Sequence, residues 1–228
     1  QVLAAPVEMS NASRSRLLQA RAVLRETRGD LGVARDDWAE AVATAEGEAD
    51  HKLLAAALGG LGTASEAMGD LAAASDAYQR ALTIHRETGN KRGLAACLHY
   101  LGSIALMQGD LEEAAERNTE SLALWRELGE MLPLAYAIQQ AGIIAFLNGA
   151  YDSAVDRYTE ALTLAETLGD RTGIGNAWLN LGSAQEMSGL LADAVASLDH
   201  ARTEFGELDD QGGVGYVDYL LGHVARAR

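Results

Sequence analysis

Lysine is nearly missing from this chain, with two lysines against sixteen arginines, and there are only two prolines and one cysteine in 228 residues. Each scarcity excludes something. The single cysteine, Cys97, rules out an internal disulfide and any thiolate-rich zinc site, which suits a reducing compartment. Two prolines argue against a loop-rich or collagen-like chain, although glycine reaches 24. Positive charge is also short: 18 basic residues face 33 acidic ones, a formal charge of −15. Such a surface repels nucleic-acid phosphate and anionic lipid, so DNA binding and a polybasic membrane role are disfavoured. Residues 1–13 lack the basic start and long apolar core of a signal peptide. Met131 to Tyr151 is free of charge, but it contains Pro133, adjacent Gln139 and Gln140, Gly142, Asn148 and Gly149. Neighbouring amides are costly in hydrocarbon, so this stretch reads as a buried helix rather than a membrane span. The length allows one or two domains. The chain has no initiator methionine and ends within an apparent helix, which reads as a piece of a larger polypeptide.

What is present is a period of 40 residues. Gly29, Gly69, Gly109, Gly149 and Gly189 form one column. Gly62, Gly102, Gly142, Gly182 and Gly222 form a second, begun by Ala22. Gly89, Gly129 and Gly169 form a third, and Gly93, Gly173 and Gly213 a fourth, with Pro133 in its gap. Sixteen of the 24 glycines fall in these columns, so glycine marks architecture here and not disorder. Between them, apolar residues recur at three and four: Leu54, Leu58 and Leu61, then Leu71, Ala74, Tyr78, Ala81 and Leu82. That pattern is two amphipathic helices per unit. Gly69-Asp70, Gly89-Asn90, Gly109-Asp110 and Gly169-Asp170 supply a left-handed C-terminal glycine followed by an N-cap, which is what a tight turn between antiparallel helices needs. The second column lies inside helices, where glycine costs about 1 kcal/mol against alanine, a cost tolerated where a neighbouring helix comes close.

First helices are expected near 12–28, 52–68, 92–108, 132–148, 172–188 and 212–226, and second helices near 31–47, 71–88, 111–128, 151–168 and 191–206. No segment alternates with period two, so the fold is expected to be all-α. Residues 1–11 read as an N-terminal extension and 12–228 as one domain, with units near 12–50, 51–90, 91–130, 131–170 and 171–210 and a final helix at 211–228.

These columns resemble the tetratricopeptide repeat family over residues 12–226. The second unit carries the family pattern as Leu58, Leu61-Gly62, Gly69-Asp70, Ala74, Tyr78 and Ala81. Trp178, Leu181-Gly182, Gly189, Ala194 and Ala201 repeat it, preceded by Ala154, Tyr158 and Ala161. The usual repeat is 34 residues and ends in proline, whereas here the second helix runs on by more than a turn. Forty-residue variants occur in bacterial multidomain regulators, signalling ATPases and Pins-type animal adaptors. The resemblance implies a right-handed superhelical solenoid of about five antiparallel hairpins plus a final helix, with a concave groove lined mainly by first helices.

The family pattern places His99, Ser103, Met107, Tyr136, Gln139, Ile143, Phe146, Asn176, Leu179, Ser183, Met187, Tyr216 and Tyr219 in that groove, with Gln140 and Asn180 beside them. The groove is then apolar and aromatic with amides and nearly without cations, which disfavours a clamp for a peptide's C-terminal carboxylate. A helix or extended peptide with apolar anchors fits better, and the competing reading is that some of these side chains are simply core. The resemblance implies a non-catalytic interaction or sensor module of a cytoplasmic bacterial regulator, without cofactor or metal. The partner is a helix, a peptide or the protein's own effector domain. A receptor for a small molecule or signalling peptide stays open as the alternative. An enzyme built on Glu186, His223 and Tyr219 is the least favoured reading.

The remaining signals have structural readings. Acidic residues on second helices, among them Asp36, Asp37, Glu40, Glu112, Glu113, Glu116, Glu120, Asp152, Asp156 and Glu160, read as a solvated exterior. Arg14, Arg21, Arg25 and Arg28 on the first helix either dock a preceding domain or cap the array. Val214, Val217, Leu220, Leu221 and Val224 leave apolar surface on the last helix, which is expected to meet a further repeat, another chain or a neighbouring domain, or to form a homodimer when isolated. The five histidines lack metal spacing, and the glycine clusters at 59–62 and 212–215 lack the strand and lysine of a phosphate loop.

Overall fold

The computed structural model describes residues 9–48 and 50–227. Most of the expected N-terminal extension, residues 1–8, lies outside the described residues, as does Arg228. Eleven helices and no strand occur among the described residues: α1 Asn11–Glu26, α2 Leu31–Glu46, α3 His51–Ala67, α4 Leu71–Glu87, α5 Lys91–Gln108, α6 Leu111–Leu128, α7 Met131–Leu147, α8 Tyr151–Leu168, α9 Arg171–Met187, α10 Leu191–Glu207 and α11 Gln211–Ala227. None is long and apolar enough to cross a membrane.

The turns form for the reasons the sequence offers. Gly69, Gly89, Gly109 and Gly169 sit at φ of 77°, 68°, 80° and 67°. A side chain with a β-carbon rarely adopts this region. Asp70, Asn90, Asp110 and Asp170 then accept from the backbone N–H three residues on, at 3.0–3.1 Å, which satisfies one orphan donor of each following helix. In the last turn Asp209 replaces glycine in the third column and still takes a left-handed φ of 56°. Aspartate is among the few residues that tolerate this.

The chain divides into two compact units, 1–104 and 105–228, with the division inside α5. In the first unit α1 packs on α2, α2 on α3 and α3 on α4. The second column explains how closely. A β-carbon on Gly62 would lie 2.6 Å from the buried Tyr78 ring of the following helix. That ring also stacks on Tyr100, with centroids 4.9 Å apart. Its hydroxyl reaches Thr63 Oγ1 and Glu66 Oε2, each at 3.2 Å. In the second unit successive helices from α6 to α11 pack in the same order, and α9 touches both α7 and α11. Gly142 repeats the arrangement against Tyr158 at 2.5 Å, and Gly182 against Leu198 at 2.8 Å.

Two sequence expectations need correction. Asp37 is buried, not part of a solvated acidic face. Its carboxylate accepts from Arg21 Nε at 2.8 Å and Nη2 at 2.6 Å, and from Arg25 Nη1 at 2.5 Å. Three of the four α1 arginines thus bind α2, since Arg14 also pairs with Glu40. On α11, Val217 and Val224 are fully buried against Leu198, Ala201 and Phe205 of α10, and Val214, Leu220 and Leu221 are half-buried there. The expected apolar surface at this end is therefore largely consumed. In addition, Asp218 stands exposed in the column that Leu18, Leu58, Leu98 and Ile138 fill as buried residues, and it pairs with Arg202 Nε at 2.9 Å.

Candidate partner-binding surface

In the first unit the groove positions are His99 and Ser103 on α5, both half-buried, with the His99 ring edge-on to Tyr100 at 5.7 Å. In the second unit the remaining positions fall on α5, α7, α9 and α11. Met107, Tyr136, Met187, Tyr216 and Tyr219 are exposed there, and Leu147 stands exposed one residue beyond Phe146. Tyr216 and Tyr219 stack with ring centroids 6.3 Å apart on α11 and are 54% and 62% exposed. The Tyr136 hydroxyl donates to Asp170 Oδ2 at 2.9 Å, while Asp170 caps α9 with its other oxygen. One carboxylate thus fixes both the aromatic side chain of α7 and the start of α9. Burial and that carboxylate both push the Tyr136 hydroxyl pKa up, so it stays a neutral donor.

Other expected positions serve the interior. Ile143 and Phe146 pack against the cluster of Ala154, Tyr158, Leu162 and Leu181, and Phe146 meets Tyr151 edge-on at 5.5 Å. Leu179 leans on the α10–α11 cluster, and the Ser183 hydroxyl donates to the Leu179 carbonyl at 3.0 Å. Gln139, Asn176 and Asn180 are half-buried. Gln140 is a correction: it is buried and accepts from Asn118 Nδ2 at 2.9 Å. Asn118 also donates to the Ala137 carbonyl at 2.8 Å. Its position is the column of Trp38, Tyr78, Tyr158 and Leu198, so a lone amide among large packing residues was the available signal. A buried amide demands a hydrogen-bonding partner, and Gln140 provides it.

The electrostatics lean acidic. Glu186, with 12% of its side chain exposed, meets His223 Nδ1 at 2.5 Å and ties α9 to α11. Arg171 is held by Glu204 at 2.7 Å and Glu207 at 2.5 Å. Glu186 and His223 are thus brought together, whereas Tyr219 turns its ring to Tyr216. No group of three His, Cys, Asp or Glu side chains able to hold a metal ion occurs among the described residues. Cys97 is buried, and burial pushes its thiol up to about 12. Because the thiolate is the reactive form, alkylation of the native protein at pH 8 is expected to run about a hundredfold slower than in urea, where one thiol titrates at once. Equal rates would mean that the α5 environment opens readily.

A tetratricopeptide repeat model matches residues 53–127. No curated protein matches the sequence. Among solved structures, BtubC (BKLC) from P. vanneervenii shares 22% identity at a TM-score of 0.76, over 87% of this chain and 82% of that one. The apo form of RapI gives a TM-score of 0.85 at 16% identity, over 92% and 77%. A Rap protein complexed with Competence and Sporulation Factor gives 0.67 at 14% identity, over 96% and 77%. These identities speak to fold alone. Since the columns of residues 53–127 continue at the same period on both sides, the chain is an all-α solenoid of the tetratricopeptide repeat kind.

Proposed function

We propose that this chain is a non-catalytic interaction and sensor module, carried by a larger cytoplasmic bacterial regulator, which holds a partner helix, a peptide or its own effector domain in a concave groove of first helices. The observation that carries the reading is the set of exposed apolar side chains on α7, α9 and α11 of the second unit: Tyr136, Leu147, Met187, Tyr216 and Tyr219. Side chains of this type, rimmed by Asp170 and Glu186, suit apolar anchors flanked by cations. The low lysine count accords with a GC-rich bacterial gene. The Rap protein complexed with a factor supports the second reading, a receptor for a signalling peptide or small molecule, because its fold is like this one. A homodimer through α11 would have to use Tyr216 and Tyr219, as Val217 and Val224 are already spent on α10.

Phe146 is unsuitable as a probe, since its ring belongs partly to the core. Tyr136→Ala, Met187→Glu and Tyr219→Glu change exposed side chains and should leave thermal unfolding within a few degrees of the parent. Each is expected to reduce retention of a co-purifying protein partner by about tenfold, roughly 1.4 kcal/mol. A low-mass ligand retained in native mass spectrometry, and lost in the same variants, would favour the receptor reading. Undiminished partner retention in all three variants would place the binding face elsewhere.

A further inference from the structure

The repeat of α3 and α4 is open where two others are closed. Arg16 of α1 reaches Asp50 at 3.2 Å, and the Tyr136 hydroxyl of α7 reaches Asp170 at 2.9 Å. Forty-residue steps place Ala56 where Arg16 and Tyr136 stand, and Asn90 where the two acids stand. Both ends of the span are thus lost together. In the column running from Asp50 through Glu130 and Asp170 to Asp210, only Asn90 is uncharged. Ala96 is as small as Ala56, but its repeat keeps Glu130.

What remains is a recess of about 570 Å³, bordered by His51, Lys52 and Ala56 of α3, Ile84 and His85 of α4, and Asn90. At these positions the repeat of α7 and α8 carries Met131, Leu132, Tyr136, Leu164, Ala165 and Asp170. An apolar lining that ends in an acid is exchanged for two imidazoles, an ammonium and an amide. None of the described residues bordering the recess is acidic, and Asp50, next to His51 in the chain, is already held by Arg16.

His85 is held in a defined state. Its equivalents Ala45, Trp125, Ala165 and Phe205 are all buried apolar residues, so an imidazole here departs from packing. The ring fits because residue 93 is glycine, whose β-carbon would lie 2.4 Å from Nε2. Asn90 Oδ1 accepts from the Gly93 N–H at 3.1 Å, which leaves Nδ2 as the Asn90 atom 3.2 Å from His85 Nδ1. An amide nitrogen only donates, so Nδ1 accepts and the ring proton sits on Nε2. Burial likewise favours the neutral ring. One ammonium beside neutral donors suits a single negative charge rather than a phosphate dianion. We infer that this recess binds a small aromatic carboxylate. The ring lies against Ala56 and Ile84, in the volume that Tyr136 takes up in its own repeat, and the carboxylate turns toward Lys52 and His85, supplying from outside the acid that the column lacks. The site lies wholly in the first unit and does not depend on the surface proposed above.

The test titrates the whole chain with 4-hydroxybenzoate by isothermal titration calorimetry. One equivalent should bind with a Kd of about 1 mM or tighter. The neutral 4-hydroxybenzamide should bind at least about tenfold more weakly, and Lys52→Gln should weaken the acid about tenfold. Ala56→Tyr, which refills the space as Tyr136 does, should abolish binding. Lys52 and Ala56 are exposed, so circular dichroism melts of both variants should match the parent. Tyr219→Glu, on the surface proposed above, should leave binding unchanged, which separates failure of one site from failure of the other. Absence of saturable binding, equal affinity for the acid and the amide, or binding indifferent to Ala56→Tyr overturns the inference. So does inorganic phosphate bound as tightly as 4-hydroxybenzoate, because the recess would then read charge alone.

Discussion

Gly142→Val should lower the stability of the second unit by about 4 kcal/mol, whereas Gly222→Ala, in the same column, should be neutral or raise it by up to about 1 kcal/mol. Both glycines lie inside helices, where alanine is preferred over glycine by about 1 kcal/mol. What differs is the space beside them. A β-carbon on Gly142 would stand 2.5 to 3.0 Å from three carbons of the Tyr158 ring, and that ring is buried among Leu162, Ala177 and Leu181 with nowhere to retreat. Overpacking of a closed core costs about 1–3 kcal/mol and sometimes more, and valine adds two methyl groups beyond the clashing carbon. A β-carbon on Gly222 meets no atom within 4 Å. Urea denaturation of the two variants reads the contrast directly. A neutral Gly142→Val would show that Tyr158 has a second rotamer available and that glycine there is dispensable.

This column also shows how far the amino-acid pattern carries. The 40-residue period located every hairpin, because left-handed turns and close helix approaches favour glycine and leave that mark at most repeats, with Ala22 and Asp209 as the departures. The expected spans of 111–128 and 151–168 coincide with α6 and α8, and the other helices differ from expectation by no more than two residues at either end. Patterns within one helix were less informative about what that helix meets. Asp36, Asp37 and Glu40 look alike along α2, and only the crossing of α1 over α2 decides that Asp37 alone turns inward toward two arginines. Likewise Gln140 lies beside Gln139 in sequence, yet the column it shares with Gly60 and Tyr100 faces the preceding second helix, as Trp38 against Gly60 and Tyr78 against Tyr100 demonstrate. Spacing that repeats between units could have revealed this: an asparagine at 118, where other units place rings or leucine, calls for an amide opposite. The partner surface was the least legible part. Exposure of Tyr136 and partial burial of Phe146 depend on how far α8 and α9 lean over α7, which no residue count within α7 expresses.

Asp37→Ala should cost the first unit about 3 kcal/mol at pH 7, and the loss should fade in acid. The carboxylate has 5% of its side chain exposed and takes three charge-assisted hydrogen bonds, two of them from the planar fork of Arg21. Removing it leaves Arg21 and Arg25 without their shared acceptor. Because both guanidiniums keep partial access to water, the cost falls toward the low end of the range for breaking a buried pair. The Arg21 hydrogen bonds hold the Asp37 carboxyl below its ordinary value, with the charges of Arg21 and Arg25 acting in the same direction and burial opposing them. A depressed folded value means that the unfolded chain takes up the proton first. The stabilisation is therefore complete above the unfolded value of about 4, and it is lost as pH falls from there through the lower folded value. Urea denaturation of the parent and of Asp37→Ala from pH 7 to pH 2 should give curves separated by a constant interval above about pH 5 that converge below about pH 4. An interval that persists to pH 2 would assign the loss to a packing void and not to the charge. Asp37→Asn separates the two causes independently: the amide fills the same space and keeps an acceptor, so its cost measures what the negative charge contributes between the two arginines, and it should account for most of the difference at pH 7.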